Sequence, residues 1–233
     1  MPNTIIKTVD INEIIWMWGD NTPYFDLSSG NPKSYSRRVQ VDPFPAYSHE
    51  MLVVNETLNR LEMFWPPKHD LYIFLLPRET LARTNGHSDR IFPYNGSEGQ
   101  LPPEHHIVLS GKRIPLHPAM TRYLVAHEYG HHVEWWLNAS LFPDEKYVYG
   151  SGSKDGELLK EYFAIREVDC EMIYGSGGVW HKSATEIFAN DFRLFVGIET
   201  EFWPHPIIPR LEDSPKAMDW WHKIYNRFVK DKI

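Results

Sequence analysis

The sequence feature that most constrains the fold is the pentapeptide H-E-Y-G-H at residues 127–131, which lies within a run typical of a helix. Pro118 suits the first position of that helix, where its missing N–H leaves no hydrogen bond unmade. No further proline occurs before Leu137. Residues four apart on a helix lie on one face. The spacing therefore predicts that the imidazoles of His127 and His131 stand side by side, within reach of one metal ion.

The residue types of this motif suit zinc. Neutral imidazole is a common zinc ligand, and Glu128, which directly follows the first histidine, is placed to take a proton from a zinc-bound water. The alternative is a buried helix that contains these residues by chance. Its flanking residues are apolar on nearly all sides, which predicts burial, and buried histidines and carboxylates need partners. Ala126 and Gly130, four apart, predict an edge on which another element packs closely.

A catalytic zinc usually has three protein ligands, so one more is expected. A third histidine six residues after His131 is absent, because position 137 is leucine. A later carboxylate is therefore favoured. The best candidate is Glu186, in a second apolar helical run over residues 183–195. The alternative role for Glu186 is a capping box with Ser183, in which the glutamate bonds back to the backbone.

Other titratable residues are predicted to have ordinary roles. Carboxylates of a helical run over 157–174 belong to its solvated face and are the rival third ligands; they are Glu161, Glu167, Asp169 and Glu171. Of the histidines before the motif, His87, His105 and His106 are expected at the surface or in loops. The one cysteine, Cys170, is expected to be a small buried residue, and it excludes an intramolecular disulfide.

The pentapeptide at 127–131, together with the segment E-I-F-A-N-D-F-R-L at 186–194, resembles the catalytic domain of anthrax lethal factor and its relatives. Those proteins are zinc metallopeptidases whose third ligand is a glutamate on a downstream helix. The resemblance covers mainly the two helices, and the second segment narrows it, since H-E-x-x-H is shared by many families. It implies zinc at His127, His131 and Glu186, with Glu128 as general base and acid.

Two positions depart from that family pattern. Relatives have an acidic residue four after the third ligand, where this chain has Asn190, with Asp191 one further on. Relatives also have a tyrosine about two turns before the third ligand, where this chain has V-W-H at 179–181. The group that orients a zinc histidine is therefore open. The group that stabilises the oxyanion is also open, with Tyr174 and His181 as candidates.

The remaining pattern predicts an α+β fold: a zincin-like metallopeptidase domain over residues 46–233. A helix at 48–65 and strands at 71–76 and 106–110 precede the motif helix. We expect a small mixed sheet packed on that helix, with further helices toward the C terminus, the last beginning after Ser214-Pro215. Residues 1–45 are expected as an irregular N-terminal extension packed on the domain. The polar stretch 78–104 is expected to be a long loop.

Composition and charge limit the partners. The net charge of −7 argues against nucleic-acid binding. No run is long and apolar enough to cross a membrane, and no signal peptide is visible, so a cytoplasmic protein is expected. Release by a non-standard route would leave no trace in the sequence. The expected partner is a peptide or protein substrate, which pairs with the strand at 106–110 as an edge strand.

The sequence thus predicts a zinc metalloendopeptidase that hydrolyses peptide bonds through a zinc-bound water activated by Glu128. One alternative is a catalytically silent zincin-fold module, for binding or regulation, that retains zinc. Asn190 and the unmatched tyrosine position favour that alternative. A weaker third option is a metal-dependent hydrolase of bonds other than peptides, since the helix motif by itself does not fix the substrate.

Overall fold

In a computed structural model, the structure describes residues 4–8, 47–67, 71–75, 86–90, 105–109, 118–141, 157–168, 184–198 and 208–230. The α-helices are α1 (Tyr47–Phe64), α2 (Pro118–Leu141), α3 (Glu157–Ile165), α4 (Ala184–Phe195) and α5 (Pro215–Phe228), with a short 3-10 helix at Leu211–Asp213. The strands are β1 (Thr4–Thr8), β2 (Leu71–Leu75), β3 (Gly86–Arg90) and β4 (His105–Leu109). None of the described helices has the length and apolar character needed to cross a membrane.

The four strands form one sheet in the order β1-β2-β4-β3. β2 pairs in parallel with β1 on one side and with β4 on the other, and β3 pairs antiparallel to β4. Ile73 is in register with Ile6 and with Ile107. Ile73 and Ile107 are both fully buried, as is Leu71, so alternate residues of β2 face the interior.

Two predictions about these strands are wrong. Residues 86–90 were expected within a loop, but they form β3. Their sequence G-H-S-D-R has no alternation of apolar residues, so the strand depends on pairing with β4 rather than on a local pattern. β4 was expected to form a sheet edge that accepts a peptide, but it lies between β2 and β3. Its main chain is paired on both sides, so it is not a docking strand.

The predicted fold class is also wrong. The chain divides into two compact units, residues 1–59 with 67–128 and residues 60–66 with 129–233. The described residues are predominantly helical, and in the second unit none of them is in a strand. The described strands pair with one another. The described residues therefore do not show an α+β zincin-like domain with a mixed sheet packed on the motif helix.

The fold class was mispredicted because a short apolar run in the sequence carries little information about how far a sheet extends. Each described strand has five residues, whereas α1 and α2 have 18 and 24. Ring-bearing residues concentrate on the helices of the second unit and supply its core. The predicted division into an extension over 1–45 and a domain over 46–233 stays a prediction, because residues 9–46 lie outside the described residues.

The core of the second unit surrounds Trp221 of α5, which is fully buried. Its ring centroid lies 4.8–6.2 Å from those of six other aromatic residues, with stacked, tilted and edge-on geometries; these residues are Trp65, Tyr162, Phe188, Phe192, Phe195 and Trp220. Such ring pairs add to the stabilisation from burial. α5 also contributes Phe228, which is buried, while Met218 and Tyr225 of the same helix are half-buried.

Several helix boundaries agree with the sequence prediction. α2 begins at Pro118, and α1 and α4 begin and end within one residue of the predicted limits. Gly197 has φ +71°, and its N–H donates to Leu194 O over 2.9 Å, which satisfies a carbonyl at the end of α4. The Arg60 guanidinium donates to Gly197 O over 2.7 Å, which attaches the end of α4 to the end of α1.

Other helix ends differ from the prediction. α3 was expected to reach Tyr174 but ends at Ile165, where Glu167 adopts φ +56° and Val168 N–H donates to Phe163 O over 2.9 Å. The left-handed residue is glutamate rather than glycine, so the sequence gives no stop signal here. Ser214 precedes α5 as predicted, but its side chain makes no capping hydrogen bond.

Candidate metal centre

The histidines of the motif lie on one uninterrupted helix. α2 runs from Pro118 to Leu141, and His127 and His131 are 4% and 9% exposed. The boundary between the two compact units falls inside α2, after Glu128. Because the helix is continuous, the one-turn spacing of the two imidazoles follows from helix geometry alone.

Glu186 of α4 lies next to the second histidine. Its Oε1 is 3.7 Å from His131 Nε2, and its side chain is 11% exposed, as is that of His131. One ligand atom from each of His127, His131 and Glu186 lies within 4.8 Å of the others. Two atoms bound to one zinc ion at ~2.1 Å in tetrahedral geometry are ~3.4 Å apart. The two-imidazole, one-carboxylate donor set could hold a metal ion, with the ligand atoms drawing closer together around it.

The rivals to Glu186 do not join this cluster. Among the described residues, only these three form a group of histidine, cysteine or acidic side chains close enough to hold a metal. Glu161 and Glu167 are exposed. Asp169 and Glu171 lie outside the described residues, as does Ser183 of the predicted capping box. His87 lies in β3, and His105 and His106 lie in β4, where their side chains are not described.

Glu128, the predicted general base, is buried on α2 directly after His127, with 5% of its surface exposed. The two candidates for oxyanion stabilisation, Tyr174 and His181, lie outside the described residues.

Asn190 and Asp191 were the candidates for orienting a zinc histidine, and both have contacts elsewhere. Asn190 Nδ2 donates to Glu186 O over 2.9 Å, so it contacts the backbone of the ligand residue. The Asp191 carboxylate accepts a short hydrogen bond from the Tyr162 hydroxyl and lies 2.8 Å from Arg166 Nε. Asp191 therefore attaches α4 to α3.

The buried carboxyl group of Asp191 has an unusual pKa. Burial raises the pKa of Asp191 to about 6, while the Arg166 guanidinium and the Tyr162 hydroxyl hold it from rising further. Burial also raises the pKa of Tyr162 well above its ordinary value, and the charge of Asp191 adds a smaller increase to that pKa. Trp221 Nε1 donates to the Tyr162 oxygen over 3.1 Å, which extends the network to α5.

The structure shows contacts around the motif that the sequence analysis missed. The ring of Tyr123 stacks on His127, with centroids 5.6 Å apart and planes at 17°. Its position one turn before His127 was the available signal. After His131, His132 and Glu134 are buried, and the His132 ring packs edge-on against Trp135 at 4.8 Å. These two polar residues were included in a run described as apolar.

Tyr129, within the motif, contacts the core. It is fully buried, and its hydroxyl donates to Trp65 O over 2.7 Å, at the end of α1. Burial raises its pKa well above the ordinary value of tyrosine, with a smaller contribution from the charge of Glu62. Tyr129 thus remains a neutral hydrogen-bond donor that fixes α2 to the end of α1.

We expect His131→Ala and Glu186→Ala each to lose zinc, because each removes one of three ligands. Removing a residue that only orients a ligand lowers metal affinity ~10–100-fold. We expect the loss of zinc affinity in these two variants to be larger than that. Metal content of purified protein and competition with a chromogenic chelator measure it. His222→Ala and Glu161→Ala, at exposed positions on α5 and α3, are the matched controls and should retain one zinc per chain. Retention of full affinity by Glu186→Ala would contradict its assignment as a ligand.

Comparison of the chain with models of protein families found no match. Searches of curated proteins and of solved structures also found no match.

Proposed function

We propose that this protein is a zinc-dependent metallopeptidase in which His127, His131 and Glu186 hold the metal. The observation that carries the proposal is the convergence of these three buried side chains, from α2 and α4, with ligand atoms within 4.8 Å of one another. Their order and type match a zinc site with three protein ligands and one position for water or substrate.

The chemistry divides between the metal and the chain. A zinc ion held here supplies Lewis acidity, which lowers the pKa of a water and polarises a substrate carbonyl. Glu128 accepts a proton from the attacking water and delivers it to the nitrogen of the leaving amine. As the carbon–oxygen bond forms and the carbon–nitrogen bond breaks, one water is consumed and two peptide fragments are released. Burial of Glu128 supports this role because a desolvated carboxylate accepts a proton more readily.

The choice of peptide bonds as substrate is supported by the resemblance of the two helical segments to the lethal factor family. The donor set and the adjacent glutamate serve hydrolysis of several bond types, so they do not by themselves select a peptide.

One observation favours the alternative of a silent module that retains zinc. Asp191 is paired with Arg166 and Tyr162, and Asn190 donates to the backbone. The Asp191 carboxylate is thus engaged by α3 and the turn after it rather than by a candidate zinc histidine. Both proposals require zinc at the same three residues, and they differ in turnover.

Metal removal tests the proposal. The zinc-loaded protein is incubated with a mixed peptide library, and new termini are identified by mass spectrometry. We expect cleavage that stops after treatment with 1,10-phenanthroline and returns with one equivalent of zinc. Glu186→Ala, purified in the same way, is the control for a contaminating peptidase and should be inactive.

The outcomes separate the candidates. Cleavage that persists without metal, or that is equal in the Glu186→Ala preparation, overturns the metallopeptidase proposal. One zinc per chain with no cleavage across the library supports the silent module instead.

A further inference from the structure

α2 and α4 approach each other unusually closely beside the candidate metal centre. A Cβ atom built at Gly130 would lie 2.8 Å from Ala189 Cα and 2.9 Å from Ala189 O. Both are backbone atoms, which cannot rotate away as the end of a long side chain can. The close packing predicted for the edge containing Gly130 is confirmed, and it depends on the absence of a side chain there.

This contact is adjacent to two of the candidate ligands. Gly130 immediately precedes His131 on α2, and Ala189 lies three residues after Glu186, so that it shares a face of α4 with it. Gly130, His131, Glu186 and Ala189 all belong to the second compact unit. The close approach of the two backbones at Gly130 thus lies beside the pair formed by Glu186 and His131, whose Oε1 and Nε2 atoms are 3.7 Å apart.

α4 and the turn after it make further contacts within the second unit. Asp191 is paired with Arg166 of the turn after α3, and Gly197 O accepts from Arg60. The Phe188 and Phe192 rings pack on Trp221 at 4.8 Å and 5.8 Å. Because these contacts restrain α4, we expect a side chain at Gly130 to displace the nearest part of the helix, which contains Ala189 and Glu186.

We propose that Gly130 is a positioning residue for the metal centre: its missing side chain holds α4 close enough to α2 for Glu186 and His131 to bind one ion. This inference rests on the proposed function. A methyl group at Gly130 would have to move from 2.8 Å to at least 3.4 Å from Ala189 Cα to reach ordinary contact. Ligand distances at a metal site tolerate ~0.2 Å. The shift of ~0.6 Å at the backbone is larger than that tolerance, so zinc binding by the variant requires the Glu186 side chain to rearrange.

Gly130→Ala tests this inference by zinc affinity, measured by chelator competition on the full chain. We expect affinity to fall ~10–100-fold, the range for residues that orient ligands. With cobalt(II) in place of zinc, the visible absorption of the variant should weaken or shift, since it reports coordination geometry. A role in packing alone would lower thermal stability of the metal-free protein without moving either readout.

Gly197→Ala is the matched control. A Cβ there would meet Arg60 Nη2 at 2.7 Å, and the residue has φ +71°, so this variant is strained too. Its contact is with the end of a flexible side chain, away from the ligands. We expect reduced stability with wild-type zinc affinity and wild-type cobalt spectrum. If both glycine variants lose zinc in proportion to lost stability, the positioning role is overturned.

A second variant keeps the test decisive if Gly130→Ala does not fold. Ala189→Ser adds one atom on the opposite side of the same contact and should lower zinc affinity in the same direction, by less. Wild-type affinity in the folded Gly130→Ala or Ala189→Ser variant overturns the inference while leaving the metallopeptidase proposal intact. A wild-type protein that does not bind zinc overturns both.

Discussion

Replacing Glu128 by glutamine is expected to abolish peptide hydrolysis while leaving zinc binding at one ion per chain. Glutamine has the size of glutamate but cannot accept a proton at neutral pH. The loss of a general base lowers turnover ~10²–10⁴-fold. Because Glu128 is not among the three residues whose ligand atoms converge, its replacement removes no ligand. Turnover is measured on a peptide identified from the library, and zinc content on the same preparation.

Glu134→Gln provides the matched control for this expectation. Glu134 is a second buried glutamate of α2, with 1% of its surface exposed, and it lies outside the ligand cluster. The same isosteric change there should lower stability while leaving kcat within a few-fold of wild type. Full hydrolysis by Glu128→Gln, with confirmed zinc, would mean that another group accepts the proton from water. Equal losses of turnover in the two variants would mean that turnover depends on buried charge in α2 rather than on Glu128 itself.

The parts of this site that the sequence predicted are those that depend on local geometry. The spacing of His127 and His131 follows from 3.6 residues per helical turn once Pro118 marks where the helix begins. Glu186 could be selected because it lies in a run with its own helical period and a glycine stop at position 197. Each of these signals is contained within one short segment of chain.

What the sequence did not predict depends on partners that are distant in the chain. β3 has no strand pattern of its own and exists through its ladder with β4. The partners of Asp191 lie 25 and 29 residues away, in the turn after α3 and on α3 itself. A likeness to metallopeptidases suggested a zinc-orienting acid near position 190, yet tertiary contacts gave Asp191 a structural role. The pairing partners of the strands could not be predicted for the same reason, because strand pairing is a long-range property.

Replacing Arg166 by methionine is expected to produce the largest loss of stability. The side chains of Arg166 and Asp191 are 1% and 0% exposed, and Arg166 Nε lies 2.8 Å from the Asp191 carboxylate. Arg166 Nη2 also donates to Pro209 O over 2.5 Å. Methionine retains much of the packing but leaves a buried carboxylate without its cation. Removing one partner of such a pair costs ~3–5 kcal/mol. Urea denaturation at pH 8 measures the free energy of unfolding.

The loss of stability in Arg166→Met should depend on pH, and the pKa of Asp191 determines the direction of that dependence. In the folded protein that pKa is about 6, above the ordinary value of 3.8. A group whose folded pKa lies above its unfolded pKa makes the free energy of unfolding fall as pH rises between the two values. Arg166 lowers the folded pKa, so in Arg166→Met the interval extends to higher pH. The destabilisation should therefore be largest at pH 8 and shrink toward pH 6, where the lone carboxyl of the variant takes up a proton.

The double variant Arg166→Met with Asp191→Asn separates charge from packing. It has no buried carboxylate, and asparagine can still accept the hydrogen bond from Tyr162. At pH 8 it should be more stable than Arg166→Met alone, and by pH 6 the two should converge, because a protonated aspartate and an asparagine are both neutral. If the deficit of Arg166→Met does not change with pH, the guanidinium acts through packing and its bond to Pro209. In that case α4, and with it Glu186, is held in place by shape rather than by charge.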